Sequence, residues 1–194
     1  MTTAEPSEMR QRILAEATRL FVARGFHGIS MREIAEAVGV SKAGLYYHFR
    51  DKEELFLAIL QACVDQLEAA IAGASALNDT RSAISQLLRG IFSLPAEQRS
   101  LMRLASTELA HLSPEARAAF GQRYYSGFIG RVETIIQSGV ANGSLRPLHT
   151  RTATWALLGM AYPFFSTTER HDPAETERII EQLITLFCDG ALQA

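Results

Sequence analysis

Apolar residues recur three and four positions apart along almost the whole chain, and no window alternates strictly between apolar and polar. The expected class is therefore all-α. Ile13, Leu14, Ala17, Leu20 and Phe21 share one face of a first helix, and Gly25 after Arg24 supplies the left-handed residue that stops it. Phe26 is then placed to fold back on the last turn. Three helix starts follow in close succession. Ser30 and Glu33 have capping-box spacing, with Ile29 and Ile34 as the hydrophobic staple, so a second helix begins near Met31. Gly39 interrupts it after Val38. Ser41 offers a new N-cap, stapled by Val40 and Leu45, for a third helix over Lys42 to Phe49. Asp51 and Glu54 cap a fourth, long and amphipathic, in which Leu55, Phe56, Ile59, Leu60, Cys63, Val64 and Leu67 keep helical spacing to about Ala72.

Beyond a loose stretch from Gly73 to Asp79, the pattern predicts helices over Thr80 to Leu94 and Pro95 to His111. Ser113, Pro114 and Glu115 open a long one reaching about Ala141. Asn142-Gly143 has a hairpin signature, but helical patterns flank it, so it reads as a helix stop. A further helix spans Thr150 to Thr167, kinked or ended by Pro163, and Asp172-Pro173 opens the last, which finishes at Gly190. No internal repeat is visible. The 194 residues fit one medium domain or two small ones, and 47% hydrophobic with 21% charged residues is ordinary for a folded chain.

Met1 to Ser7 are polar, without the basic and apolar segments of a secretory leader. The longest nearly charge-free stretch, Thr152 to Thr168, contains Trp155, Tyr162, Pro163 and several hydroxyl residues, and falls short of a clean membrane span. The two cysteines, Cys63 and Cys188, lie far apart in apolar helical patterns, which suits a reducing compartment and excludes a thiolate metal cluster. A cytoplasmic protein that makes no contact with membrane is expected. The formal charge of -2 divides unevenly: Arg10 to Lys52 holds eight basic against four acidic residues, and the remainder holds eleven against seventeen. A basic head on an acidic body touches phosphates with one end only.

Two short helices joined by a tight glycine-containing turn form a helix-turn-helix, locked by the inward set Ile34, Ala35, Val38, Val40, Leu45 and Phe49. This leaves Lys42, Ala43, Gly44, Tyr47 and His48 on or near the open face. The small Ala43 and Gly44 let the backbone approach base edges, and Lys42 reaches guanine acceptors or a phosphate. Tyr46, Tyr47, His48 and Lys52 are donors suited to phosphate oxygens. Taken singly, Tyr46 as a packing residue and His48 as a capping histidine remain equally good readings.

The ordered run Ser30, Ile34-Ala35, Gly39-Val40-Ser41-Lys42, Leu45-Tyr46-Tyr47-His48-Phe49, Lys52-Glu53 and Leu55 resembles the signature of the TetR family of bacterial transcriptional regulators. The resemblance implies a homodimer with one helix-turn-helix per subunit, recognition helices in successive major grooves of a palindromic operator, and a helical carboxy-terminal domain that binds an effector. It divides the chain into a DNA-binding domain over 1–52 and an effector-binding and dimerisation domain over 53–194. It places Lys42, Ala43, Gly44 and Tyr46 at bases or adjacent backbone. Ser30, Ser41, Tyr47, His48 and Lys52 fall at phosphates, and Arg32 joins the same DNA-facing set. Ala43 and Gly44 depart from the usual glycine followed by a small polar residue, and Met31 replaces a frequent Thr or Ser.

In the last two predicted helices, Ala153, Ala156, Leu157, Met160 and Phe164 run beside Ile180, Leu183, Ile184 and Phe187 at nearly heptad spacing. Packing inside one subunit explains such stripes almost as well as an intersubunit four-helix bundle. The resemblance favours the bundle and makes Ala153, Leu157, Met160, Phe164, Ile180, Leu183, Ile184 and Phe187 the expected dimer interface. Aromatics concentrate in the same region: Phe120, Tyr124, Tyr125, Phe128, Trp155 and Tyr162. An apolar pocket for a small hydrophobic effector is expected from Cys63, Leu67, Phe92, Met102, Glu108, Tyr124, Phe128 and Trp155, with ordinary core as the competing reading.

Nucleophile elbow, P-loop, dinucleotide fingerprint and His-Glu-x-x-His are all absent from the sequence, so no enzyme activity is expected. Glu108-x-x-His111 is half of a carboxylate di-iron signature whose other half is missing, and His111 reads as a helix-end residue. No metal and no cofactor is expected, and Cys63 reads as core filler. The expected function is a ligand-responsive, sequence-specific DNA-binding regulator, a repressor released from its operator by the effector. The alternatives are a helical enzyme or metal protein retaining the helix-turn-helix, and a non-specific architectural binder.

Overall fold

The structure is a computed structural model that describes residues 6–165 and 172–191. Among these residues the regular secondary structure is all helical. The α-helices are α1 (Pro6–Arg24), α2 (Met31–Val38), α3 (Lys42–His48), α4 (Lys52–Ile71), α5 (Thr80–Ser93), α6 (Ala96–Glu108), α7 (Pro114–Tyr124), α8 (Gly130–Ala141), α9 (Thr150–Ala161) and α10 (Pro173–Ala191). Most expected boundaries hold within two residues. The predicted single helix from Pro114 to Ala141 is instead α7 and α8 joined by a π-helical turn over Tyr125–Ile129, a winding that apolar spacing does not encode. The helix expected to reach Thr167 turns to 3₁₀ winding at Tyr162–Phe165, next to Pro163 as expected, and its end at Thr167 lies outside the described residues.

Two compact units emerge: Met1–Cys63 with Leu101–Gly121, and Val64–Ser100 with Gln122–Ala194. The expected division at 52/53 falls inside the first unit. The first turns of α4 bury Leu55, Phe56 and Ile59 with the head, and the Glu53 carboxylate accepts hydrogen bonds from the Ser113 amide and hydroxyl, both at 2.8 Å, tying the start of α7 to the same unit. By length and composition α4 passes for a membrane span, yet Leu55, Phe56, Ile59, Leu60, Cys63, Val64 and Leu67 are buried within the protein.

The head packs around three phenylalanines. Phe56 stands edge-on to Phe21 at 5.1 Å and tilted against Phe26 at 5.2 Å, while Phe21 and Phe26 stack at 6.0 Å. Such geometries add to the gain from burial alone. Gly25 makes the pair possible: its φ of +73° turns the chain back so that Phe26 meets Phe21.

In the second unit α5 packs on α10, and Arg89 pairs with Glu177 and Arg81 with Asp189 between them. Gly90 on α5 lies so close to α4 that a Cβ there would stand 2.3 Å from the Ala70 carbonyl oxygen, which is why glycine interrupts an otherwise apolar helix face. Gly143, with φ of +78°, closes α8 and confirms the helix stop at Asn142-Gly143.

Candidate nucleic-acid interface

The α2–turn–α3 geometry follows from local chemistry at each junction. At Ser30 the capping box is complete: the Glu33 amide donates to Ser30 Oγ, and the Ser30 amide donates to Glu33 Oε2 at 2.8 Å. Arg24 adds an ion pair to Glu33 at 2.9 Å. The Ser30 hydrogen bonds, followed by that from Arg24, hold the Glu33 carboxyl at about 2, against its ordinary 4.5. A carboxyl lowered on folding contributes stability that is full above its unfolded value and is lost as pH falls through the folded one. Acid destabilisation between about pH 4.5 and 2 is therefore expected to be shallower in Glu33→Gln than in the wild type, measured by urea midpoints at each pH. Equal slopes would contradict the capping role.

Gly39 takes φ of +77°, and its amide and that of Val40 donate to the Ala35 carbonyl at 3.0 Å, turning the chain sharply out of α2. Arg12 reaches across from α1 and donates to the Val38 carbonyl at 2.7 Å. Sequence reasoning passed over Arg12 because nothing in its local pattern marks a partner beyond α1. Ser41 then caps α3, accepting from the Gly44 amide at 3.0 Å. A Cβ on Gly44 would stand 3.3 Å from Ser41 Oγ, so the cap favours a residue without a side chain there.

This frame buries one side of α3 and opens the other. Leu45 and Phe49 are buried, as are Ile34, Ala35 and Val38 on α2; Val40, expected with them, is half-buried. Lys42, Ala43, Tyr46 and Tyr47 are exposed, Tyr47 by 80%. Gly44 and His48 are half-buried at the edges, and the His48 ring meets Tyr47 edge-on at 5.2 Å. The Lys42 ammonium lies 5.8 Å from the centre of the Tyr46 ring. Arg32 is exposed and paired with Glu36 at 2.8 Å. An open cleft joins the turn before α2 to α3, lined among others by Ser30, Arg32, Lys42, Tyr46 and Lys52. The Lys52 ammonium turns inward: it donates to the carbonyls of Phe26 at 2.8 Å and Ile29 at 3.0 Å and sits over the Phe26 ring. Burial lowers its pKa, with Glu108 and Glu33 opposing. Its first role is to hold the turn that precedes α2.

The expected effector residues fall in both compact units. Leu67, Phe92 and Phe128 are buried in the second unit, and half-buried Tyr124 has its ring 5.6 Å from Phe128. Trp155, also expected at the effector, lies in the second unit. It is 48% exposed, on the side of α9 away from buried Ala153, Leu157 and Ala161. Cys63 is buried, and burial pushes its thiol up to about 12, as befits core filler. Cys63, Met102 and Glu108 belong to the first unit.

The expected dimer stripe is largely covered within a single chain. Ala153, Leu157, Ile180, Leu183, Ile184 and Phe187 are already buried within a single chain, and Met160 and Phe164 are half-buried. Apolar spacing marks the face that packs, and here that face belongs to the subunit's own core. Among the described residues of these helices, the large apolar side chains left exposed are Trp155 and, at 67%, Leu186.

Residues 13–59 match the family described as bacterial regulatory proteins, tetR family, and residues 78–165 match the tetracyclin repressor-like C-terminal domain. The transcriptional activator FasR of Mycolicibacterium smegmatis is 48% identical over 64 residues, covering 33% of this chain and 29% of FasR. The transcriptional repressor AcnR of Corynebacterium efficiens is 32% identical over 118 residues, 60% of this chain and 58% of AcnR. Each alignment thus spans less than two thirds of the relative. The crystal structure of AibR in complex with isovaleryl coenzyme A and operator DNA superposes with a TM-score of 0.80 at 25% identity, over 92% of this chain and 97% of that one.

Proposed function

Because this chain belongs to the TetR family of bacterial regulators, we propose that it is a homodimeric, cytoplasmic transcriptional repressor that binds a palindromic duplex operator and leaves it on binding a small hydrophobic effector. One observation carries the reading: α3 with its C-cap buries Leu45 and Phe49 and leaves Lys42, Ala43, Tyr46 and Tyr47 open, which is what a helix seated in a major groove requires. Lys42 meets a base edge or its adjacent backbone, and Tyr47 and His48 meet phosphates. Ser30 and Ser41, both engaged as caps, offer phosphate contacts at helix starts. The effector is an acyl-like molecule, a class supported by the isovaleryl coenzyme A bound to AibR. The role is regulatory rather than enzymatic, as with the relatives.

The dimer forms through the outer faces of α9 and α10, where Trp155 and Leu186 are exposed. Two heads fit one face of B-DNA when spaced about 34–36 Å apart. An effector that binds a splayed state more tightly shifts the population toward it and lowers operator affinity, with α4, which begins in the head and ends in the second unit, carrying the change.

The test is fluorescence anisotropy on a duplex selected from random sequence and on its scrambled counterpart. Tyr47→Ala is expected to weaken binding to both duplexes and to reduce the salt slope by about 1, the mark of one lost phosphate contact. Lys42→Ala is expected to change the preferred sequence at one position. Equal affinity of the wild type for both duplexes would favour the architectural binder and overturn the reading.

A further inference from the structure

The first unit gathers three metal-ligating side chains to which the proposed function assigns no role. His27 lies on the turn between α1 and α2, Glu108 ends α6, and His111 closes the 3₁₀ turn Leu109–His111. One ligand atom from each lies within 4.8 Å of the other two. In 3₁₀ winding residues i and i+3 stack on one side, so Glu108 and His111 present their side chains together. The His27 and His111 rings meet edge-on with centroids 4.5 Å apart.

Glu108 supplies a second, independent sign. Its Oε2 is buried and has no hydrogen-bond partner, although an unsatisfied buried carboxylate oxygen is unfavourable. Its Oε1 rests against Gly25, where a Cβ would stand 3.0 Å away, so glycine leaves room for the carboxylate. Lys52 is the nearby cation, but its ammonium donates to the Phe26 and Ile29 carbonyls instead.

We propose that His27, Glu108 and His111 form a site for a divalent transition-metal cation of the zinc class. Two imidazole nitrogens and one carboxylate oxygen suit such an ion better than magnesium or calcium, which prefer all-oxygen shells. Tetrahedral bonds of about 2.0–2.1 Å need ligand atoms about 3.4 Å apart. The separations, within 4.8 Å, close to that value by small turns of the exposed His27 and His111 side chains. The fourth position stays open to water or an anion. Bound there, the cation staples the turn preceding α2 to the end of α6, a link independent of any DNA reading.

The full-length protein, stripped with a chelator, is expected to take up one Zn²⁺ per chain in competition with a chromophoric chelator. Co²⁺ is expected to give the intense visible bands of a four-coordinate site. His27→Ala and His111→Ala are each expected to weaken Zn²⁺ binding at least about tenfold. Circular dichroism serves as the folding control, since both histidines are exposed. Glu108→Gln, which keeps the side-chain shape, is expected to do the same, and Zn²⁺ should raise the Tm of the wild type but of none of the three variants. No saturable uptake by the wild type, or unchanged uptake by all three variants, overturns the site.

Discussion

Phe56→Ala is expected to lower the stability of the head by about 3–5 kcal/mol, the range for deleting a fully buried phenylalanine. The side chain is wholly buried and touches both other rings of the cluster, so its removal strips Phe21 and Phe26 of their common neighbour at once. Phe21 and Phe26 sit on either side of the Gly25 turn, and α2 and α3 are anchored beyond it through Ile29, Ile34 and Leu45, so the cavity lies where close packing leaves little room for collapse. The measurement is urea denaturation followed by two signals. Far-UV circular dichroism reports all helices, whereas Trp155, the single tryptophan, reports the second unit. The variant is expected to show an early dichroism transition with the tryptophan transition retained. A loss below about 1 kcal/mol would mean that the ring cluster does not organise the head.

Replacing Trp155 and Leu186 together by Arg is expected to yield a folded monomer that has lost operator affinity by at least about a hundredfold. Both side chains are exposed in the single chain, so the charges cost its own core little, but two arginines facing their symmetry mates cannot be desolvated in an isologous contact. Without the partner, each head binds its half-site alone and forfeits the effective concentration that linkage confers, a factor of about 10² to 10⁴. Sedimentation velocity and anisotropy on full-site and half-site duplexes check this. The half-site affinity should match the wild type. A variant that still sediments as a dimer would move the interface to another surface.

The head was legible because its signals are local. Ser30 with Glu33, Gly39, Ser41 and Asp51 with Glu54 act within four residues of themselves, and the helix boundaries they imply match the observed ones closely. The outward face of α3 followed from them, since fixing Leu45 and Phe49 inward leaves Lys42 and Tyr47 outward. Lys52 marks the limit of such signals. Nothing in its near neighbours shows that its length lets it reach the carbonyls of Phe26 and Ile29, far away in sequence.

The carboxy-terminal half was less legible. Periodicity identified a buried stripe on α9 and α10 correctly, but whether a second subunit or the same one buries it is not a property of spacing. The π turn at Tyr125–Ile129 and the contact of Gly90 with Ala70 leave no periodic trace either.

The sequence by itself determined the all-helical class, the starts and stops of the head helices and the exposed face of α3, because capping, glycine turns and amphipathic spacing are written in near neighbours. Only the tertiary structure decided which partner each apolar face meets, where Lys52 and Arg12 end, and that His27 comes to lie beside Glu108 and His111. Those outcomes depend on how segments distant along the chain pack against each other, and packing is settled by the shape of the whole unit rather than by the order of its residues.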